Sequence, residues 1–219
     1  MWKKIKNFIL DILYPKFCLN CGREGSYLCP DCQSTLEVSS SHTEYQTEEI
    51  KDLYFALPYQ NQLIKNLIKL FKYQPFVKEL SQPLSSLIIT HFQLIEKSPA
   101  DLAGYILMPV PLEKKKLKWR GFNQAEELAK GLISFLKIPL INDVLIKTRE
   151  TLPQAELSGR EREENIKGAF SCRNKEKISG KKILLVDDIY TTGSTMKEAA
   201  RVAKAAGAKE IIGIAVARG

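Results

Sequence analysis

Short apolar strands alternating with amphipathic helices predict an α/β protein built on a parallel sheet, preceded by a small cysteine-rich module. Two observations carry this expectation. The runs at 105–110 (YILMPV), 182–186 (KILLV) and 211–216 (IIGIAV) are short and, but for Lys182, apolar, as strands covered on both faces are. Cys18, Cys21, Cys29 and Cys32 crowd into one short stretch as C-x2-C-x7-C-x2-C.

Composition sets the outer limits. The chain has 219 residues, 44% hydrophobic and 26% charged, which is ordinary for a globular protein and excludes a disordered or fibrous one. Its 33 Lys and Arg outnumber 25 Asp and Glu, giving a net charge of +8. Such an excess points to a polyanion, a phosphorylated ligand or an acidic membrane surface. No apolar run reaches the roughly 18 residues needed to suggest a transmembrane helix.

The elements follow in chain order. Trp2, Ile5, Phe8, Ile9, Ile12 and Leu13 recur at helical spacing, with Lys3, Lys4 and Lys6 on the polar side and Pro15 ending the pattern. This basic amphipathic helix either packs its apolar stripe on the rest of the chain or makes a peripheral membrane contact. The cysteine pairs come next. Each C-x2-C lets two thiolates grip a tetrahedral ion from one tight turn. The preceding segment carries scattered charges and no cleavage pattern, so a reducing, cytoplasmic setting and a metal are expected rather than disulfides. Zinc suits the spacing better than an iron–sulfur cluster, and four thiolates leave no open position, so it would be structural. Cys172 stands apart and has no assigned role.

The polar stretch 33–51 looks like a linker, dividing the chain into a module at 1–50 and a larger domain at 51–219. Residues 53–57 suggest a strand. Residues 61–73 suggest a helix with Leu63, Leu67, Leu70 and Phe71 inward and Lys65, Lys69 and Lys72 outward. Further helices are expected at 80–95, 123–136 and 194–206, the last ended by Gly207. A basic loop joins the strand at 105–110 to the helix at 123–136. His42 and His91 fall in the linker and in a helix and read as surface residues.

The segment ILLVDDIYTTGST (183–195) carries the chemistry. A buried strand delivers Asp187 and Asp188 at its C-terminal end, the edge where open α/β sheets bind ligands. Thr191, Thr192, Gly193, Ser194 and Thr195 follow and lead into a helix. Hydroxyls, a glycine and free N–H groups at a helix N-terminus make a phosphate cradle. Two carboxylates beside a phosphate site make sense when they accept hydrogen bonds from sugar hydroxyls, so the motif suits a ribose 5-phosphate. No Walker lysine is present, so ATP hydrolysis is not suggested.

These residues resemble the phosphoribosyl diphosphate (PRPP) signature of the type I phosphoribosyltransferases. The resemblance implies that Asp187 and Asp188 bind the ribose hydroxyls, that residues 191–195 hold the 5′-phosphate, and that Mg²⁺ accompanies PRPP. Two further segments narrow it. One is MPVP at 108–111 followed by KKKLKWRGFNQ at 114–124; the other is QAELSGREREENIKGAF at 154–170. With the cysteine cluster and the PRPP signature, in this order, they resemble the ComF/GntX family. That implies a type I phosphoribosyltransferase-like parallel sheet flanked by helices, carrying a zinc-ribbon-like N-terminal element. It also implies a role in natural competence, handling incoming single-stranded DNA with a ComFA-type helicase. By the same resemblance, Pro109, Val110 and Pro111 lie where diphosphate binds; on the residues themselves, Lys114–Lys118 and Arg120 can supply a basic group near it, and 160–170 can form a flexible hood that closes over the site.

The residues themselves offer a DNA track as well. Lys114, Lys115, Lys116, Lys118 and Arg120 surround Trp119, with Phe122 close by; such groups meet phosphates and stack on bases. Three functions remain open on sequence: a PRPP-binding competence protein, an active transferase with an unidentified acceptor, and a non-catalytic scaffold.

Overall fold

A computed structural model describes residues 15–73, 75–152 and 159–219. The amphipathic stretch at 2–13 and residues 154–158 of the third family segment lie outside the described residues. Along the chain come α1 (Pro30–Ser34), β1 (Asp52–Pro58), α2 (Gln62–Lys72), α3 (Ser81–Leu94), β2 (Tyr105–Pro109), α4 (Lys114–Arg120) and α5 (Gln124–Leu136). They are followed by β3 (Leu145–Lys147), α6 (Gly159–Ile166), β4 (Phe170–Cys172), β5 (Lys182–Val186), β6 (Ile189–Tyr190), α7 (Ser194–Ala205) and β7 (Glu210–Arg218). No helix among the described residues is long and apolar enough to cross a membrane.

The main sheet is parallel, in the order β1-β7-β5-β2. Its central strands are apolar in sequence because both faces are covered. Leu184 and Val186 face a core shared with Leu67 and Phe71 of α2, Leu84 and Ile88 of α3, and Leu128 and Leu132 of α5. Ile183 and Leu185 face the opposite core, with Met196, Ala199 and Ala203 of α7 and Phe170 of β4. The helices begin where polar caps permit. Asn61 accepts from Ile64 N–H at 3.1 Å to open α2, and Asn123 accepts from Ala125 N–H at 3.2 Å to open α5.

Strand β6 continues β5 along β7. Val186 pairs with Ile214 and Ile189 with Ala217, so the register on β7 is the same on both sides of Asp187 and Asp188. The two acids are a break in one strand.

Two sequence expectations change. The basic stretch after β2 is the helix α4 rather than a loop, because the Glu113 carboxylate accepts from Lys115 N–H at 2.9 Å and Lys116 N–H at 3.2 Å and so caps its first turn. The histidines are not surface residues. His91 is buried and its Nδ1 lies 2.7 Å from the Ser39 carbonyl, while His42 Nε2 is 2.9 Å from Asp52 and stacks on Tyr54 at 4.4 Å. Both tie the 33–51 stretch to β1 and α3. Ser39 N–H adds a 2.8 Å bond to the Ala56 carbonyl. Cys18, Leu28, Cys29, Cys32 and Leu36 join the core that holds Phe71 and Phe92. The small antiparallel pair β3–β4 and helix α6 were not foreseen as regular elements; strands of three residues carry too little pattern to be seen.

Candidate functional site

Asp187 and Asp188 stand where β5 breaks, at the C-terminal edge of the sheet. Asp188 is 3% exposed and takes an ion pair from Lys72 Nζ at 2.8 Å, across from the end of α2. Burial works against the Lys72 ammonium, but Asp188 and Asp187 outweigh it and hold its pKa above the ordinary value. Asp187 accepts the Asp188 N–H at 2.8 Å on Oδ1. Burial, with the neighbouring Asp188 charge, pushes its carboxyl up to about 7, and Lys72 only partly opposes this. A carboxyl raised in this way at the C-terminal edge of the sheet suits a ligand site.

The turn that follows depends on glycine. Gly193 has φ +78°, and a Cβ there would overlap the Tyr190 phenol. Gly193 is also the N-cap of α7 and brings no side chain of its own to that helix N-terminus, where the Ser194 N–H donates to Thr192 Oγ1 at a long 3.4 Å. Thr192 Oγ1 donates to Ser194 Oγ at 3.2 Å, gathering two of the hydroxyls on one side of the turn. Backbone N–H groups and hydroxyls gathered in this way suit an anion.

The loop after β2 forms the neighbouring wall. Val110 N–H donates to the Val186 carbonyl at 2.9 Å, and Asn123 Nδ2 donates to the Val110 carbonyl at 3.0 Å, which fixes Pro109, Val110 and Pro111 beside the break in β5. Arg120 reaches the same region. Burial lowers its pKa, the nearby Asp188 opposes this, and its buried Nε has no hydrogen-bond partner among the described residues.

The other basic candidates separate. Lys114, Lys115 and Lys118 are exposed on α4, with Lys115 paired to Glu150 at 3.1 Å. Lys116 is half-buried and its Nζ donates to the Thr151 carbonyl at 3.3 Å. Trp119 is 58% exposed and meets Phe76 edge-on at 4.6 Å, whereas Phe122 is buried against Phe71.

Two lysines of this region escaped sequence reasoning. Lys72 shares a helical stripe with Lys65 and Lys69 and so looked solvent-facing. Lys147, on β3, gave no signal. It donates to Thr151 Oγ1 at 2.9 Å, and burial together with Lys116 brings its pKa down to about 8 against the pull of Asp187.

The four clustered cysteines meet as their spacing predicts. Their sulfur atoms lie within 4.8 Å of one another. Cys18, Cys29 and Cys32 are buried, and N–H groups point at sulfur: Cys29 N to Cys18 Sγ at 3.5 Å and Cys32 N to Cys29 Sγ at 3.4 Å. Burial raises the Cys18 thiol, yet backbone N–H groups from Cys21, Cys29 and Asn20 bring it down to about 6. Cys32 moves the other way, up to about 12. The Asn20 amide favours its thiolate, but burial and the thiols of Cys29, Cys21 and Cys18 prevail. Four sulfurs this close cannot all ionise without a cation among them, and the set is compatible with a structural zinc. Cys172 lies elsewhere, with Sγ 3.9 Å from the Val202 carbonyl.

Comparison with known proteins agrees with this geometry. Residues 119–219, which include the acidic pair and the glycine turn, match the phosphoribosyl transferase domain family. The fold and site therefore define a protein with a phosphoribosyl transferase domain. The chain is 28% identical over 210 residues to competence protein F of Haemophilus influenzae, covering 95% of this chain and 84% of that protein. It is 27% identical over 189 residues to competence protein ComFC of Bacillus subtilis, covering 84% and 70%. With the DNA utilization protein YhgH of Escherichia coli the match is 32% over 124 residues, 57% of this chain and 54% of that protein. These similarities support a ComF-type protein that carries a phosphoribosyl transferase domain.

The raised Asp187 pKa sets a stability test. Its ordinary value is about 3.9, so the native state binds this proton more tightly than the unfolded chain does. The penalty is full above pH 7 and gone below pH 4. Asp187→Asn should therefore raise the thermal midpoint at pH 8 by roughly 2–4 °C, with the gain vanishing as pH falls to about 4. A midpoint at pH 8 that drops instead would mean the carboxylate is satisfied by its surroundings.

Proposed function

We propose that this protein binds PRPP with Mg²⁺ at the break in β5 and serves DNA uptake, handling incoming single-stranded DNA with a ComFA-type helicase in the cytoplasm. Asp187 and Asp188 accept hydrogen bonds from the ribose hydroxyls. Thr191, Thr192, Gly193, Ser194 and Thr195 hold the 5′-phosphate, and the backbone of Pro109, Val110 and Pro111 faces the diphosphate together with Arg120. One observation carries the reading: a carboxyl whose pKa is raised to about 7 stands beside a turn that admits only glycine at the N-terminus of α7. The acidic pair fits hydroxyl donors and Mg²⁺ alike, since either would stabilise the Asp187 carboxylate. The buried Arg120 Nε fits a ligand oxygen. The names of the relatives support the role in DNA uptake.

Calorimetry with PRPP and Mg²⁺ tests the site. Binding is expected, and Asp188→Ala should weaken it at least tenfold, a loss of about 1.4 kcal/mol or more. A chain that binds neither PRPP nor ribose 5-phosphate is not a PRPP protein. Transfer to an acceptor is a second reading, favoured by Lys147 on β3, an amine whose pKa lies near 8 and whose charge feels Asp187. Diphosphate release during the same titration, with nucleobases, amines or DNA present, separates transfer from binding.

The cysteine cluster holds one structural zinc in this reading. Elemental analysis should return one zinc per chain, and Cys29→Ser should abolish it and lower the thermal midpoint. Metal-free protein of unchanged stability would refute the assignment.

Single-stranded DNA is expected to run over Lys114, Lys115, Lys116, Lys118, Trp119 and Arg120. Of these, Lys114, Lys118 and Trp119 are exposed and make no ion pair among the described residues. Changing Lys114 and Lys118 to Glu should weaken oligonucleotide binding and reduce the slope of log K against log salt by roughly 0.7 per lysine. An unchanged slope would move the DNA path elsewhere.

A further inference from the structure

The turn at 191–195 rests on a phenol. Tyr190, the last residue of β6, is 2% exposed. Its hydroxyl and the ring carbon bearing it lie where a Gly193 Cβ would be, so the positive-φ conformation of Gly193 is packed directly against that oxygen. The Tyr190 hydroxyl is in turn 2.7 Å from the hydroxyl of Tyr45, with the two rings edge to face at 5.5 Å. Tyr45 sits 145 residues earlier, in the stretch between the cysteine cluster and β1.

Tyr45 is itself held in place. Its backbone N–H donates to Asp52 Oδ1 at 3.2 Å. The Arg218 guanidinium lies 4.7 Å from its ring centre and 5.4 Å from that of Phe55. Arg218 ends β7 directly opposite Tyr190 in the sheet. Burial and the Tyr45 hydroxyl raise the Tyr190 pKa, so its proton stays on and the bond between the hydroxyls persists across the working pH range.

We propose that Tyr45 is a positioning residue for the phosphate-binding turn: by engaging the Tyr190 hydroxyl it fixes Gly193, and with it the N–H groups at the start of α7. The inference rests on the reading of residues 191–195 as a ribose 5-phosphate site. Without the Tyr45 hydroxyl, a buried phenol loses its partner, and its ring turns to find another. Gly193, which has no side chain to anchor it, then loses the surface it packs on. A residue from the cysteine-bearing half of the chain thereby sets the quality of a cradle made by the other half.

The test is calorimetric titration of ribose 5-phosphate into the full chain, comparing wild type with Tyr45→Phe, Tyr190→Phe and the double variant. Circular dichroism confirms that each is folded at the titration temperature. Tyr45→Phe should raise the dissociation constant about tenfold, the scale of one buried hydrogen bond. The double variant should bind about as Tyr190→Phe does, since both changes remove the same bond. The pH midpoint of binding set by Asp187 should not move, because the carboxylate half of the site is untouched; a general loss of structure would shift it. Wild-type binding with an unchanged Tyr45→Phe constant, or with fully additive effects, overturns the proposal and leaves the phosphate site standing. Absence of binding by the wild type overturns both.

Discussion

Two carboxylates must be kept side by side at the end of a central strand, largely out of water, and most of the remaining structure answers to that demand. Like charges in a low-dielectric place repel, and burial penalises each. The sheet absorbs the geometric part of the problem by keeping one register on β7 across the break, so the chain re-enters the ladder at Ile189 as if Asp187 and Asp188 had not intervened. The electrostatic part is met by cations drawn from separate elements: Lys72 from α2, Arg120 from α4 and Lys147 from β3. Among the described residues only Lys72 makes an ion pair with the acids, and the Asp187 carboxyl stays raised to about 7. Protein contacts alone leave the pair incompletely compensated, which suits a site completed by a ligand.

What could be read in the sequence follows from how local each feature is. The acidic pair and its turn are contiguous, and the four cysteines are compressed into two knuckles, so type and spacing sufficed. The strands β2, β5 and β7 declared themselves because burial on both faces leaves no polar positions to confuse the pattern. Of the three cations only Arg120 declared itself. Lys72 and Lys147 gain their roles only when α2 and β3 reach the same sheet edge, and nothing near either residue in the chain records that meeting. The histidines misled for a related reason. His42 in a polar stretch and His91 in a helix both suggested solvent, but each meets a partner set by the fold, Asp52 for His42 and the Ser39 carbonyl for the buried His91. At α4 the signal was present in Glu113, a side chain able to cap the first turn, and the density of lysine obscured it.

The net positive charge divides into two populations with different physics. Lys114 and Lys118 on α4 are exposed and contribute little to stability, so they can be committed to a ligand without cost to the fold. Arg120, Lys116 and Lys147 are at least partly buried, and burial depresses the pKa of Arg120 and Lys147. Cations held against their solvation are fixed in place and few in number, which favours a compact phosphorylated ligand in the cleft. The exposed set favours a long polyanion passing outside it. The two ligands proposed for this protein would thus draw on different cations, Lys147 in the cleft and Lys114 and Lys118 outside it, with Arg120 and Lys116 where the two paths meet.

The stretch between the cysteine cluster and β1 shows how these parts are joined. It has no helix or strand of its own to hold it, so polar side chains do the work: His91 on the Ser39 carbonyl, Asp52 on His42 and on the Tyr45 backbone, and Tyr190 on the Tyr45 hydroxyl. β1 is an edge strand, and an open edge invites pairing with other chains. The Ser39 N–H bond to the Ala56 carbonyl occupies part of that edge. At the far edge, Leu107 of β2 is bonded in the same way by the Pro139 carbonyl and the Ile141 N–H. Anchoring the cysteine module therefore also shields the sheet. Because the same stretch ends on Tyr190, the segment that closes the edge reaches the back of the glycine turn, and edge protection and site geometry become a single requirement on residues 39–52.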